Sequence, residues 1–130
     1  MSADYPEDLR YTKEHEWASI RGNVARIGIT QFAVDQLGDV TQLELPREGE
    51  SVKKDEVFGT VESVKAVSDL FAPFSGKVVK VNTPLHDTPE AVNQEPYDEG
   101  WLIEIEMSEP KQADDLMSVA DYRAFIAEQG

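Results

Sequence analysis

One lysine in this chain is set where an amine could serve as a handle. Lys65 lies in Gly59-Thr-Val-Glu-Ser-Val-Lys65-Ala-Val-Ser-Asp69, with Val61 and Val64 before it and Val67 after it. β-Branched residues on both sides of a short polar centre predict two strands joined by a tight reversal. A lysine at that tip stands off the body of the protein on a four-carbon stem, and its amine acylates readily. A solvated surface charge is the plainer reading of any lysine, and spacing alone does not separate the two. Ser63, two residues earlier, allows a Ser–Lys hydrolytic pair. Such a pair needs a desolvated lysine, and an exposed tip is the wrong place for one. His15 sits between Glu14 and Glu16. On a strand, neighbours point to opposite faces, so these three do not converge on a metal. His86, beside Asp87 in a proline-punctuated stretch, reads as a solvated loop histidine. No Gly-rich phosphate loop is present. The chain has no cysteine, which removes disulfides, thiolate nucleophiles and cysteine metal sites, and fits a reducing compartment.

The elements that must position Lys65 are mostly short strands. Trp17 to Ile20 and Val24 to Ile29 flank Arg21-Gly22-Asn23, a good turn centre. Thr30 can cap a short helix from Gln31 to Gln36 that ends at Gly38. Thr41, Leu43 and Leu45 alternate up to Pro46, and Glu48-Gly-Glu50 makes the next turn. Val57 to Val64 and Ala66 to Phe71 are the arms around Lys65, and Val78 to Val81 follows after Pro73 and Gly76. The stretch from Thr83 to Gly100 has prolines, Asn93 and no clear period, which predicts a long surface loop. Trp101, Ile103, Ile105 and Met107 alternate with Glu104 and Glu106 as a half-buried strand. Beyond Pro110, Leu116, Val119, Tyr122 and Phe125 or Ile126 recur at helical spacing, and Ser118 followed by Asp121 outlines a capping box.

A length of 130 residues implies a single domain, with a core over about 9–108 and a C-terminal helical segment over about 113–128. The formal net charge of −14 argues against nucleic acid and anionic membranes as partners and favours a monomer. No apolar stretch approaches the roughly 20 residues that span a bilayer. The polar, acidic opening lacks the pattern of a secretory or transit leader, so the expected location is the cytoplasm.

The string Val61-Glu-Ser-Val-Lys-Ala66 resembles the lipoylation motif of the glycine cleavage system H proteins. Leu9-Arg-Tyr-Thr-Lys-Glu-His-Glu-Trp17 resembles the family's opening. Ile27-Gly-Ile-Thr30, Leu37-Gly-Asp-Val40 and Leu43-Glu-Leu-Pro46 follow in the family's order. Ala72-Pro-Phe-Ser-Gly-Lys77, Val81-Asn82, Pro96-Tyr97 and Gly100-Trp101-Leu102-Ile103 complete a resemblance over nearly the whole chain. It implies a mainly β, lipoyl-domain-like flattened sandwich (a barrel-sandwich hybrid) of two small antiparallel sheets, with a short internal helix and a C-terminal helix. It implies lipoate on Lys65, placed by a lipoyl-attaching enzyme. A lysine stem plus an eight-carbon acyl chain reaches roughly 14 Å.

The resemblance also implies the partners. A pyridoxal-phosphate decarboxylase, the P protein, leaves the aminomethyl group of glycine on one lipoyl sulfur. The T protein, an aminomethyltransferase, passes the carbon to tetrahydrofolate and releases ammonia. The L protein, dihydrolipoamide dehydrogenase, reoxidises the dithiol. The chain would then be a shuttle and not itself a catalyst. By the same resemblance, Glu16 and Asp69 fall at positions that shelter the loaded arm, and Glu14 falls where other members carry serine. Other readings differ at the lysine. Lipoyl domains of 2-oxo acid dehydrogenases usually carry Asp where Val64 stands, and biotin carriers bracket their lysine with methionines where this chain has Val64 and Ala66. A small Ser63–Lys65 hydrolase should turn over generic esters. A divergent lipoyl relay to other enzymes would share the motif.

Overall fold

The computed structural model describes residues 6–129. Among these, the alternating stretches form nine strands: β1 Arg10–Tyr11, β2 Glu16–Arg21, β3 Val24–Ile29, β4 Val40–Glu44, β5 Ser51–Val52, β6 Val57–Ser63, β7 Val67–Phe71, β8 Gly76–Val81 and β9 Ile103–Met107. They pair antiparallel in a six-stranded sheet of order β1-β2-β3-β9-β8-β5 and a three-stranded sheet of order β4-β6-β7. Ile27, Val78 and Ile105 from the large sheet bury with Leu43, Val61 and Leu70 from the small one. Each such side chain removed from water is worth about 1.5–3 kcal/mol, which holds the two layers face to face. The result is the expected lipoyl-domain-like flattened sandwich.

The short internal helix, α1, spans Gln31–Leu37. Thr30 caps it by accepting from the Ala33 N–H at 3.3 Å. Gly38 closes it with φ 76° and its own N–H on the Val34 carbonyl at 3.0 Å. The C-terminal helix, α3, spans Val119–Gln129, and the Ser118 hydroxyl accepts from the Asp121 N–H at 3.2 Å. Its apolar stripe joins a second cluster, in which Tyr11 stacks on Tyr122 with ring centroids 4.6 Å apart beside buried Trp17.

Several boundaries differ from those the sequence predicts. The 83–100 stretch is not simply a surface loop. It holds a 3-10 turn at Thr83–His86 and a short helix, α2, at Ala91–Gln94. Leu85 and Val92 anchor these in the core, so single apolar residues do what a longer periodic stripe does elsewhere. β9 begins at Ile103, because Trp101 leaves the strand line and receives the Arg26 guanidinium 4.6 Å above its ring. The helical end is broken: a 3-10 segment at Pro110–Asp115 precedes α3, with Leu116 extended between them. The two-residue strands β1 and β5 are too short for a period-2 pattern to reveal. Among the described residues, no helix is long and apolar enough to cross a membrane.

Candidate functional site

The β6–β7 hairpin carries Lys65 at its tip. The register sets Val61 against Ser68 and Glu62 against Val67, which leaves Ser63 to Ala66 to make the reversal. The Ser63 N–H donates to the Ala66 carbonyl at 2.8 Å. The Ser63 hydroxyl accepts from the Lys65 N–H at 3.2 Å and the Ala66 N–H at 3.1 Å, and donates to the Ala66 carbonyl at 3.3 Å. A serine that bonds its own turn in this way stiffens it. It also gives that hydroxyl a structural task, so a Ser63–Lys65 nucleophilic pair gains no support from the geometry. The Val64 N–H reaches across to the Asp39 carbonyl at 3.1 Å and rests the tip on the loop after α1. Lys65 is exposed, with Val64 and Val67 68% and 64% exposed beside it.

Next to this tip opens a cleft of about 520 Å³. The turn before β2, helix α1 and strand β7 wall it. Glu14, Glu16 and Asp69, far apart in sequence, all line it, and so does Ala66, the residue after Lys65. Glu14 and Asp69 are exposed, whereas Glu16 is 1% exposed. One Glu16 oxygen accepts from the Thr12 hydroxyl at 2.9 Å, and the other accepts from the Phe71 N–H at 3.0 Å. The side chain therefore ties the six-stranded sheet to the three-stranded one at the cleft. Burial pushes its carboxyl up to about 8; the bonds from Phe71 and Thr12 oppose the shift, and the charges of Glu14 and Asp55 add to it.

His15 is not a strand residue. It has φ 69° at the end of the β1–β2 turn, and it lines the cleft together with Glu14 and Glu16 on either side of it. Its Nδ1 lies 2.8 Å from the Tyr122 hydroxyl, which lies 2.7 Å from the Thr30 hydroxyl. The ring packs between Phe32 and Phe125, with centroids 4.4 and 5.9 Å away. That is a structural histidine joining α3 to the cleft wall. No cluster of three or more metal-ligating side chains occurs among the described residues. His86 is exposed at the end of its 3-10 turn.

Two residues of the site are not visible in the sequence reasoning. Thr12 holds Glu16 from four positions upstream, a spacing without a recognisable motif. Asn93 sits in the stretch read as loop, yet it accepts from the Val40 N–H and donates to the Gly38 carbonyl, both at 2.8 Å.

An exposed amine on a stiff turn, beside a cleft with an apolar wall and three carboxyls, fits a covalently tethered acyl arm. Fold and site together define a lipoyl-domain-like carrier sandwich. The family model described as glycine cleavage H-protein matches residues 9–129. A glycine cleavage system H protein of Anaeromyxobacter sp. (strain K) is 60% identical over 126 residues, 97% of this chain and 98% of the relative. That of Symbiobacterium thermophilum is 55% identical with the same coverage. The crystal structure of a glycine cleavage system H protein from Mycobacterium marinum superposes with a TM-score of 0.86 at 39% identity, covering 95% of this chain and 99% of the other. The chain belongs to the glycine cleavage H-protein family, the lipoyl-bearing carrier component of a multi-enzyme system.

Proposed function

We propose that this chain is the lipoyl shuttle of the glycine cleavage system, with Lys65 as the attachment residue. The observation that carries the reading is the placement of Lys65 at a doubly anchored tip whose next residue, Ala66, opens the cleft holding Glu14, Glu16 and Asp69. The lipoyl group, when bound, supplies the redox-active dithiol and the sulfur that takes up the one-carbon cargo. The chain's own residues do the rest. Lys65 offers its amine to the lipoyl-attaching enzyme, supplies the amide nitrogen, and then presents the arm to the P, T and L proteins in turn. The exposed Val64 and Val67 give those partners an apolar contact around the lysine. Glu16, with Glu14 and Asp69 at the mouth, receives the protonated amine of the aminomethyl cargo by charge-assisted hydrogen bonding. The apolar wall from Leu37 and Leu70 keeps water from that amine. In this reading the chain works as a monomeric domain in the cytoplasm beside its partners, and it catalyses no step alone.

The test is intact mass of the protein from its native cell, followed by peptide mapping. The expected result is a gain of one lipoyl group at Lys65. Lys65→Arg keeps the charge, cannot form the amide, and should lose both the added mass and glycine–bicarbonate exchange with the P protein. An exposed substitution leaves stability within about 0.5 kcal/mol. Exchange that survives in the Arg protein would overturn the carrier assignment.

A further inference from the structure

The residue beneath Lys65 is Gly38. A Cβ built on it would lie 3.1 Å from the Lys65 Cε and 3.8 Å from its Nζ. The lysine stem thus lies over a backbone position that has no side chain. Leu37, the residue before Gly38, and Ala66, the residue after Lys65, both line the cleft. The stem therefore crosses the rim at the point where α1 ends. Gly38 has φ 76° and ψ −154°, a region that essentially only glycine occupies. A glycine adopts it without strain, so what fixes the rim is Asn93, from α2, which grips the Gly38 carbonyl and the Val40 N–H at once. Between these two bonds the Asp39 carbonyl receives the Val64 N–H from the hairpin tip. The hairpin tip and the lysine stem thus both meet the rim within the short segment that Asn93 grips.

We propose that Gly38 is the saddle over which the lipoyl-lysine stem is laid into the Glu16 cleft, and that Asn93 is the positioning residue that fixes this saddle. The inference rests on lipoyl attachment at Lys65. It assigns Asn93 a part in docking the loaded arm and none in forming the amide. A Cβ at position 38 would crowd the stem against the rim, and a rim released from Asn93 would no longer present a constant path into the cleft.

Gly38→Ala is a confounded test, because the methyl group is strained at that φ whatever it touches. Asn93→Asp and Asn93→Ala are cleaner. Asp keeps an acceptor for the Val40 N–H but cannot donate to the Gly38 carbonyl, and it decides the matter if the Ala protein does not fold. Parent and variants are lipoylated, loaded by the P protein with glycine, and followed by amide NMR and by the decay of the adduct. Equal lipoyl mass on Lys65 is expected in all. The amide shifts that loading produces at Ala33, Leu37 and Phe71 should be lost in the variants, and the adduct should decay at least threefold faster. An asparagine of structural importance alone would lower Tm while leaving the loading shifts and the adduct lifetime at parental values, and that result overturns the proposal. Absence of lipoyl mass on Lys65 in the parent would instead overturn the attachment reading on which it rests.

Discussion

Replacing Glu16 by Gln removes a buried charge site without changing its volume, and the structure fixes how the effect must depend on pH. In the folded protein the Glu16 carboxyl is pushed up to about 8 by burial, against the opposing bonds from Phe71 and Thr12. In an unfolded chain it ionises at the ordinary glutamate value of about 4.3. Between these limits the folded state keeps a proton that the unfolded state has released. The unfolded state then binds fewer protons, so stability falls as pH rises. The contribution is fully present below the unfolded pKa and is lost as pH climbs through about 8. One pKa unit is about 1.4 kcal/mol, so the swing amounts to about 3–5 kcal/mol. Gln at position 16 has no such swing. Urea unfolding of both proteins at several pH values from 5 to 8.5 isolates it, because the other titrating groups cancel in the difference. The Gln protein should gain on the parent by a few kcal/mol across that range. Carbon-13 NMR of the Glu16 carboxyl should show a midpoint near 8. A pH-independent difference, with a carboxyl midpoint below 5, would show that the Thr12 and Phe71 donors outweigh burial and that the reasoning is wrong.

Other expectations are simpler to state. The same Gln protein, loaded with the aminomethyl group, should release formaldehyde and ammonia about tenfold faster or more, since a charge-assisted hydrogen bond is worth roughly 1.5–3 kcal/mol and about 1.4 kcal/mol is one decade; equal decay rates would shift the role to Asp69 or Glu14. Exchanging Val64→Lys with Lys65→Val turns the amine to the other side of the tip, and lipoylation followed by mass should fall sharply; equal modification would mean that exposure alone suffices. Gly28→Ala places a Cβ 2.5 Å from the Trp17 ring, whose Nε1 is held by the Pro96 carbonyl at 2.9 Å. Overpacking of this kind costs about 1–3 kcal/mol in urea unfolding, and an unchanged midpoint would show that the indole can move aside.

What the sequence discloses about this site divides by physical cause. The hairpin is legible because β-branched residues on both arms and a polar centre are local signals, and the lysine sits where the period breaks. The α1 cap is legible for the same reason, since Thr30 and Gly38 act within one turn of themselves. The sheet order is not, because it depends on which strands meet across the core, and β1 and β5 carry two residues each. The 83–100 stretch conceals its order because two buried side chains, Leu85 and Val92, pin it without periodicity. Glu16 shows the limit most clearly. Its sequence neighbours say nothing of its burial, and its chemistry is decided by residues as distant as Phe71. In the proposed reading a docked ammonium would draw that carboxyl toward its ionised form, and the burial that opposes ionisation in the unloaded protein is supplied only by the folded chain.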